Sequence, residues 1–207
     1  MIRAFRSMIL AARRFRHEET AVAAVEFALI VPFLITLYLG SIEAAALFTV
    51  DKRINSISST VGDLVAQWDP DDGDLTANTL MDYLNASTGI LAPYPTTGLK
   101  IVVTLVQVKN NGTTKVLWSK ANASGTVKTT GNTYTDLGST TQMNSVSRGG
   151  CVVAAEVIYS YKPLLGQVFT TALNLKHTNY FLPRFGSTEP IDLDTTTLAT
   201  TACTNQS

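Results

Sequence analysis

Glu26 is the only charged residue between Ala21 and Ile42. It stands in Ala-Val-Ala-Ala-Val-Glu-Phe-Ala-Leu-Ile-Val, residues 21–31, otherwise wholly apolar. At the centre of a membrane helix an acidic side chain costs about 2.5–3.5 kcal/mol, and less near the interface. A carboxylate retained there has a partner or a processing role, unless it lies close enough to the interface to be solvated. The rest of the chain offers little other chemistry. Cys151 and Cys203 are the only cysteines, and His177 is the only histidine after His17. There is no nucleophile elbow, P-loop or metal motif. Asp69-Pro70-Asp71-Asp72-Gly73-Asp74 lacks the spacing and closing Glu of a calcium loop and reads as a solvated turn. The Asn-x-Ser/Thr sites at Asn85, Asn111 and Asn122 read as polar turns. His177, in a strand-like context, reads as structural. No enzyme, metal or cofactor is expected.

These residues need a helix to carry them. Phe27–Ile42 is 16 residues without a charge, and from Ala21 the run is 22 with one carboxylate. One crossing needs about 20 apolar residues, and there is no second such run. The net charge of 0 conceals an asymmetry. Arg3, Arg6, Arg13, Arg14 and Arg16 precede the run, against Glu18 and Glu19, whereas Asp51, Lys52 and Arg53 beyond it nearly cancel. Arg-rich flanks stay in the cytoplasm. The N-terminus is therefore expected inside and residues 51–207 outside, in a periplasm or beyond. Ile9–Ala12 is too short for the apolar core of a secretory signal. Any cleavage should precede the helix and leave it on the mature chain. No basic cluster on the exported side points to nucleic acid.

The helix should continue outward. Leu47, Val50, Ile54, Ile57, Val61, Leu64 and Trp68 repeat at alternating steps of 3 and 4, a heptad-like stripe ending before Asp69-Pro70. The stripe can pack on the chain's own sheet or form a seam for another helix. Pro32 inside the run predicts a local kink. Asp74 is expected to cap a short helix over Leu75–Leu84, with Leu80, Met81 and Leu84 buried. Leu99–Val108, Lys115–Ser119, Val152–Tyr161 and Leu173–Leu182 read as strands, with Asn110-Asn111-Gly112 turning the first hairpin. Residues 121–150, dense in Thr, Ser, Asn and Gly, read as long loops or short edge strands. A long helix on a small antiparallel sheet buries both apolar faces, which gives an α+β fold. In an oxidising compartment Cys151 and Cys203 should form a disulfide, stabilising by roughly 4 kcal/mol in the loop-entropy model; two free thiols are the alternative.

Thr20-Ala21-Val22-Ala23-Ala24-Val25-Glu26-Phe27-Ala28-Leu29, after a basic leader and before Pro32, resembles the N-terminus of TadE-like pseudopilins of bacterial tight-adherence pili. Tyr159–Leu165 and Tyr180–Arg184 are similar to the family's end, while residues 70–150 carry no such likeness. The resemblance implies a pilin-like fold and cleavage by a prepilin peptidase between Ala21 and Val22. Ala21 stands where the family usually has Gly. Val22 then carries a new α-amine, cationic at neutral pH with a reference pKa of about 7.7–8.0, and Glu26 lies one helical turn on. Amine and carboxylate can pair within or between subunits, relieving two desolvation costs together. Cleavage would remove five Arg and two Glu, a net +3, leaving a mature charge of −3.

The expected organisation is a leader over 1–21, a spanning and then amphipathic helix over 22–68, and an exported α+β domain over 69–207. The expected role is that of a minor pseudopilin that primes, caps or regulates pilus assembly from the inner membrane, with entry into the extracellular pilus open. Its expected partners are the prepilin peptidase, other pseudopilins, the major pilin and the inner-membrane assembly platform. A permanently anchored periplasmic binding or sensor protein, with residues 121–150 contacting a ligand, is the rival reading. It requires an intact leader and no dependence on Glu26.

Overall fold

A computed structural model describes residues 19–163, 171–185, 191–194 and 202–203. The expected leader therefore lies almost wholly outside the described residues, as do Leu164 and Leu165 of the family-like tail. Two compact units divide the chain: Met1–Ala46 with Pro163–Thr171, and Leu47–Lys162 with Ala172–Ser207. The helix α1, Glu19–Ala66, contributes to both.

In the first unit α1 is apolar on every side. Val22, Val25, Phe27, Leu29, Ile30, Phe33, Leu34, Ile35, Leu37, Tyr38 and Ile42 are all exposed. An α-helix satisfies its backbone polar groups internally, so such a surface suits hydrocarbon. Pro32 lies inside α1, which continues through it. The proline supplies no N–H to the preceding turn, and its own carbonyl accepts a 2.8 Å bond from the Thr36 hydroxyl.

In the second unit the remaining turns of α1 become one-sided. Val50, Ile54, Ile57, Val61 and Val65 are fully buried. Leu64, expected in the stripe, is exposed at 36%. The reason is the helical period: 3.6 residues per turn drifts from a 3.5 repeat, so after four steps Val65 and Ala66 occupy the inward positions. Leu47 is half-buried, and Trp68 lies beyond the helix end with its indole N–H on the Gly73 carbonyl at 2.8 Å. The helix closes with a tightened turn, Trp68 N–H to Val65 carbonyl at 3.1 Å. Asp69 then turns extended ahead of Pro70 and accepts the Asp71 N–H.

The sheet has four antiparallel strands: β1 Lys100–Val108, β2 Thr114–Ala121, β3 Gly150–Tyr161 and β4 Leu173–Phe181, in spatial order β2-β1-β3-β4. The fold is α+β, as expected. The β1–β2 hairpin turns through Gly112 at φ 82°, with its N–H on the Lys109 carbonyl at 2.8 Å. Such a backbone favours glycine. Helix α2, Ala77–Ser87, is capped by Thr76, whose hydroxyl accepts the Thr79 N–H at 3.0 Å, and not by Asp74. Leu75, expected in this helix, instead forms a parallel bridge with Leu193. Leu80 and Leu84 are buried, and Met81 is half-buried. Helix α3, Gln142–Val146, lies in the stretch expected to hold only loops and edge strands.

One sheet face meets α1 and the other meets the loops after β2. Leu105, Trp118, Val153 and Phe181 form one row across the four strands. The opposite face gathers Val106, Val108, Val116, Val152 and Ala154 with Tyr134 and Leu137. The chain's end is tied by the Cys151–Cys203 disulfide, spanning 52 residues, and by the Gln107 amide on the Ala202 carbonyl at 2.7 Å. Helix and sheet approach closely at Gly62, where a Cβ would stand 2.5 Å from the Phe181 ring and 3.1 Å from the Ala155 Cβ. Gly62→Val should therefore destabilise the second unit by about 2 kcal/mol through overpacking, despite the better helix propensity. Chemical denaturation followed by Trp68 and Trp118 fluorescence would measure it.

Candidate functional site

The first constellation lies in the opening turns of α1. The Ala21–Val22 peptide lies at the start of the described part of α1. Val22, Glu26 and Phe27 are all exposed, Phe27 at 67%. Val22 and Glu26 are four residues apart on a continuous helix and so share a face. Among the described residues Glu26 has no hydrogen bond or ion pair, and apolar side chains surround it in sequence. The arrangement leaves one carboxylate on the exposed surface of an otherwise apolar stretch of helix.

Residues 21–61 match the family model described as TadE-like protein. The N-terminal helix is TadE-like. The match begins at Ala21, runs through Glu26 and the apolar stretch, and ends at Val61, in the last turns of α1. It takes in 41 of the 207 residues and leaves the sheet outside. No curated protein and no solved structure matches the chain. Val22–Ala66 is long and apolar enough to cross a membrane, and its most apolar 18-residue window is wholly unburied. The TadE-like helix is thus the one candidate span among the described residues.

The TadE-like helix is joined to β4 by a polar seam. Asp51, Asn55, Ser59 and Asp63 recur every fourth residue on one flank of α1. The Asp51 carboxylate meets His177 Nε2 at 2.8 Å. Asn179 Nδ2 donates to Asn55 Oδ1 at 2.9 Å and to the Ser59 hydroxyl at 3.0 Å. Arg184 bonds the Asp63 carboxylate, and its N–H meets the Ala66 carbonyl at 2.8 Å. His177 is therefore a structural partner of α1. The four-residue period was visible in the sequence; its mates on β4 alternate with period two and could be matched only once the strand was placed.

A charged cluster on the other sheet face was not foreseen. Glu156 of β3 is buried, with Lys176 Nζ at 3.0 Å and Lys128 Nζ at 3.8 Å. Lys176 also reaches Asp136 at 3.1 Å. Desolvation works against charge on Asp136, but the hydrogen bond and charge of Lys176 outweigh it and hold the carboxyl below its ordinary value. Desolvation likewise opposes charge on Lys176, yet its bonds to Glu156 and Asp136 keep the ammonium above its ordinary value. Burial pushes the Tyr134 hydroxyl far upward, with Tyr180, Asp136 and Glu156 adding to it. Beside the cluster a pocket of about 120 Å³ is lined by Lys128, Thr129, Asn132, Tyr134 and Asp136 among others. Through Lys128, Tyr134 and Asp136 these loops are clasped to the sheet.

The signs fix the pH behaviour. A depressed Asp136 stabilises the fold above its ordinary value of 3.8, and that contribution is lost as pH falls through the lower folded value. A raised Lys176 stabilises below its ordinary 10.5, and loses that contribution as pH rises through the higher folded value. Both side chains are well exposed, Lys176 at 48%, so solvent screening reduces their worth. Lys176→Met should cost about 1–2 kcal/mol, nearly constant from about pH 5 to 9, because it leaves Glu156 buried with only Lys128 nearby. The difference from wild type should shrink below about pH 3.8; denaturation midpoints across that range would show it.

Proposed function

We propose that this chain is a minor pseudopilin of a tight-adherence pilus, cut by a prepilin peptidase between Ala21 and Val22 and structural in its action. One observation carries the reading: the TadE-like match covers the apolar helix whose lone exposed carboxylate, Glu26, sits one turn after Val22. Before cleavage the leader's five arginines hold the N-terminus in the cytoplasm. Hydrolysis of the Ala21–Val22 amide frees Val22 as a cation. Its partner is Glu26, in the same helix or in a neighbour's. Either pairing neutralises a charge that is costly in hydrocarbon; the one between subunits also fixes their axial register. The partners under this reading are other pseudopilins, the major pilin and the inner-membrane platform. Loss of the leader's net +3 makes the helix easier to withdraw from the bilayer during assembly.

The exported unit supports a structural role. The polar groups of its seam and of the Glu156 cluster hold α1, β4 and the loops in place. Intact mass and N-terminal sequencing of the membrane-extracted protein, with and without its prepilin peptidase, test the reading. The expected product begins at Val22 only when the peptidase is present. A chain that keeps residues 1–21 in both cases is a fixed single-pass anchor, and the pseudopilin mechanism fails.

A further inference from the structure

The strand registers show which side chains gather at the end of the second unit where α1 enters. Contacts from Asp51 to His177 through Ala66 to Arg184 make β4 run parallel to α1. The start of β4, the end of β3, the start of β1 and the end of β2 therefore share the Leu47 end. Three lysines from three elements lie toward that end, Lys162 just past the last strand pair and Lys100 and Lys52 three to four pairs further in. Lys100 opens β1 opposite Ile158, and Lys162 follows Tyr161, the last residue of β3. Lys52 follows Asp51 on α1, at the level of His177. All three are exposed, and among the described residues none is in an ion pair.

Asp51, beside Lys52 and hydrogen-bonded to His177, is balanced in charge by Arg53, whose guanidinium lies on the Ile90 and Ala92 carbonyls. Lys176, across Ile158 from Lys100, is held by Glu156 and Asp136. Residues 163–172, which join β3 to β4, contain no charged residue. Acidic groups gather at the other end instead. Asp69, Asp71, Asp72 and Asp74 follow the close of α1, and Asp192 and Asp194 flank the Leu75–Leu193 bridge. The unit is therefore electrically polarised, with its basic end nearest the apolar helix along the chain.

We infer that Lys52, Lys100 and Lys162 form a docking surface for anionic lipid headgroups, on which the exported unit rests. The inference depends on α1 spanning the membrane and not on cleavage or pilus assembly. Along the chain Lys52 follows Ile42, the end of the charge-free run, by ten residues. An anionic surface attracts lysines within a screening length of about 8 Å. The three side chains come from both layers of the unit, from α1 and from the sheet.

The uncleaved full chain, reconstituted in vesicles of phosphatidylcholine alone or with phosphatidylglycerol, tests this directly. Amine acylation read by mass spectrometry reports each lysine, with Lys109 and Lys115 at the far hairpin as internal references for insertion direction. Labelling of Lys52, Lys100 and Lys162 relative to those references should fall about threefold or more in the anionic vesicles and recover at high salt. In the Lys100→Gln/Lys162→Gln variant the protection of Lys52 should diminish. Equal relative labelling in the two lipids, or undiminished protection of Lys52 in the variant, overturns the inference. Neither result bears on the peptidase test.

Discussion

One helix has to satisfy two environments, and the rest of the structure follows from that constraint. Through about Ile42 α1 is exposed and apolar on every side; from Val50 it is buried along one side only. A helix can make this change without a break because its backbone hydrogen bonds are its own. What changes is the side-chain pattern. Beyond Val50 the inward positions carry Val and Ile, the flank toward β4 carries Asp, Asn and Ser at every fourth residue, and Gly62 lets the Phe181 ring approach. The sheet is thus fitted to a helix whose earlier residues answer to a different solvent.

That fit is partly polar. Apolar burial is non-directional and tolerates sliding; hydrogen bonds do not. The Asn55–Asn179 and Ser58–Ala155 contacts, at 2.9 and 2.6 Å, fix the axial position of α1 on the sheet. Such a seam holds the buried turns of α1 at one setting along the strands. The disulfide and the Glu156 cluster act on other parts of the unit, securing the chain's end and the loops after β2.

Much of this was legible in the sequence, for identifiable reasons. The apolar run, the β-branched strands and the Asn-Asn-Gly turn are local signals, and the structure places α1, β1, β3 and β4 within a few residues of where those signals put them. Competing local signals were less readable. Asp74 and Thr76 are both good caps, and the choice went to Thr76 because Leu75 is taken by the Leu193 bridge, over 100 residues away. Leu64 looked inward on a 3.5 repeat and points outward on a 3.6 one. Glu156 gave no signal, since a single Glu in an apolar strand shows neither that it is buried nor that Lys128 and Lys176 come from elsewhere to meet it. In the candidate site itself, the spacing of Val22 and Glu26 was fully written in the sequence because both lie on one helix.

The central claim is that Glu26 acts through its charge, on an amine that cleavage creates. Co-purification of the Glu26→Gln protein with its assembly partners, beside wild type and in cells with active peptidase, tests it most directly. The side chain keeps its size and loses only its charge. If the account holds, Glu26→Gln is still cut before Val22 but no longer co-purifies with the other pilus subunits. A variant that is cut and recovers its partners as wild type does would contradict the pairing and leave Glu26 without the role given to it here.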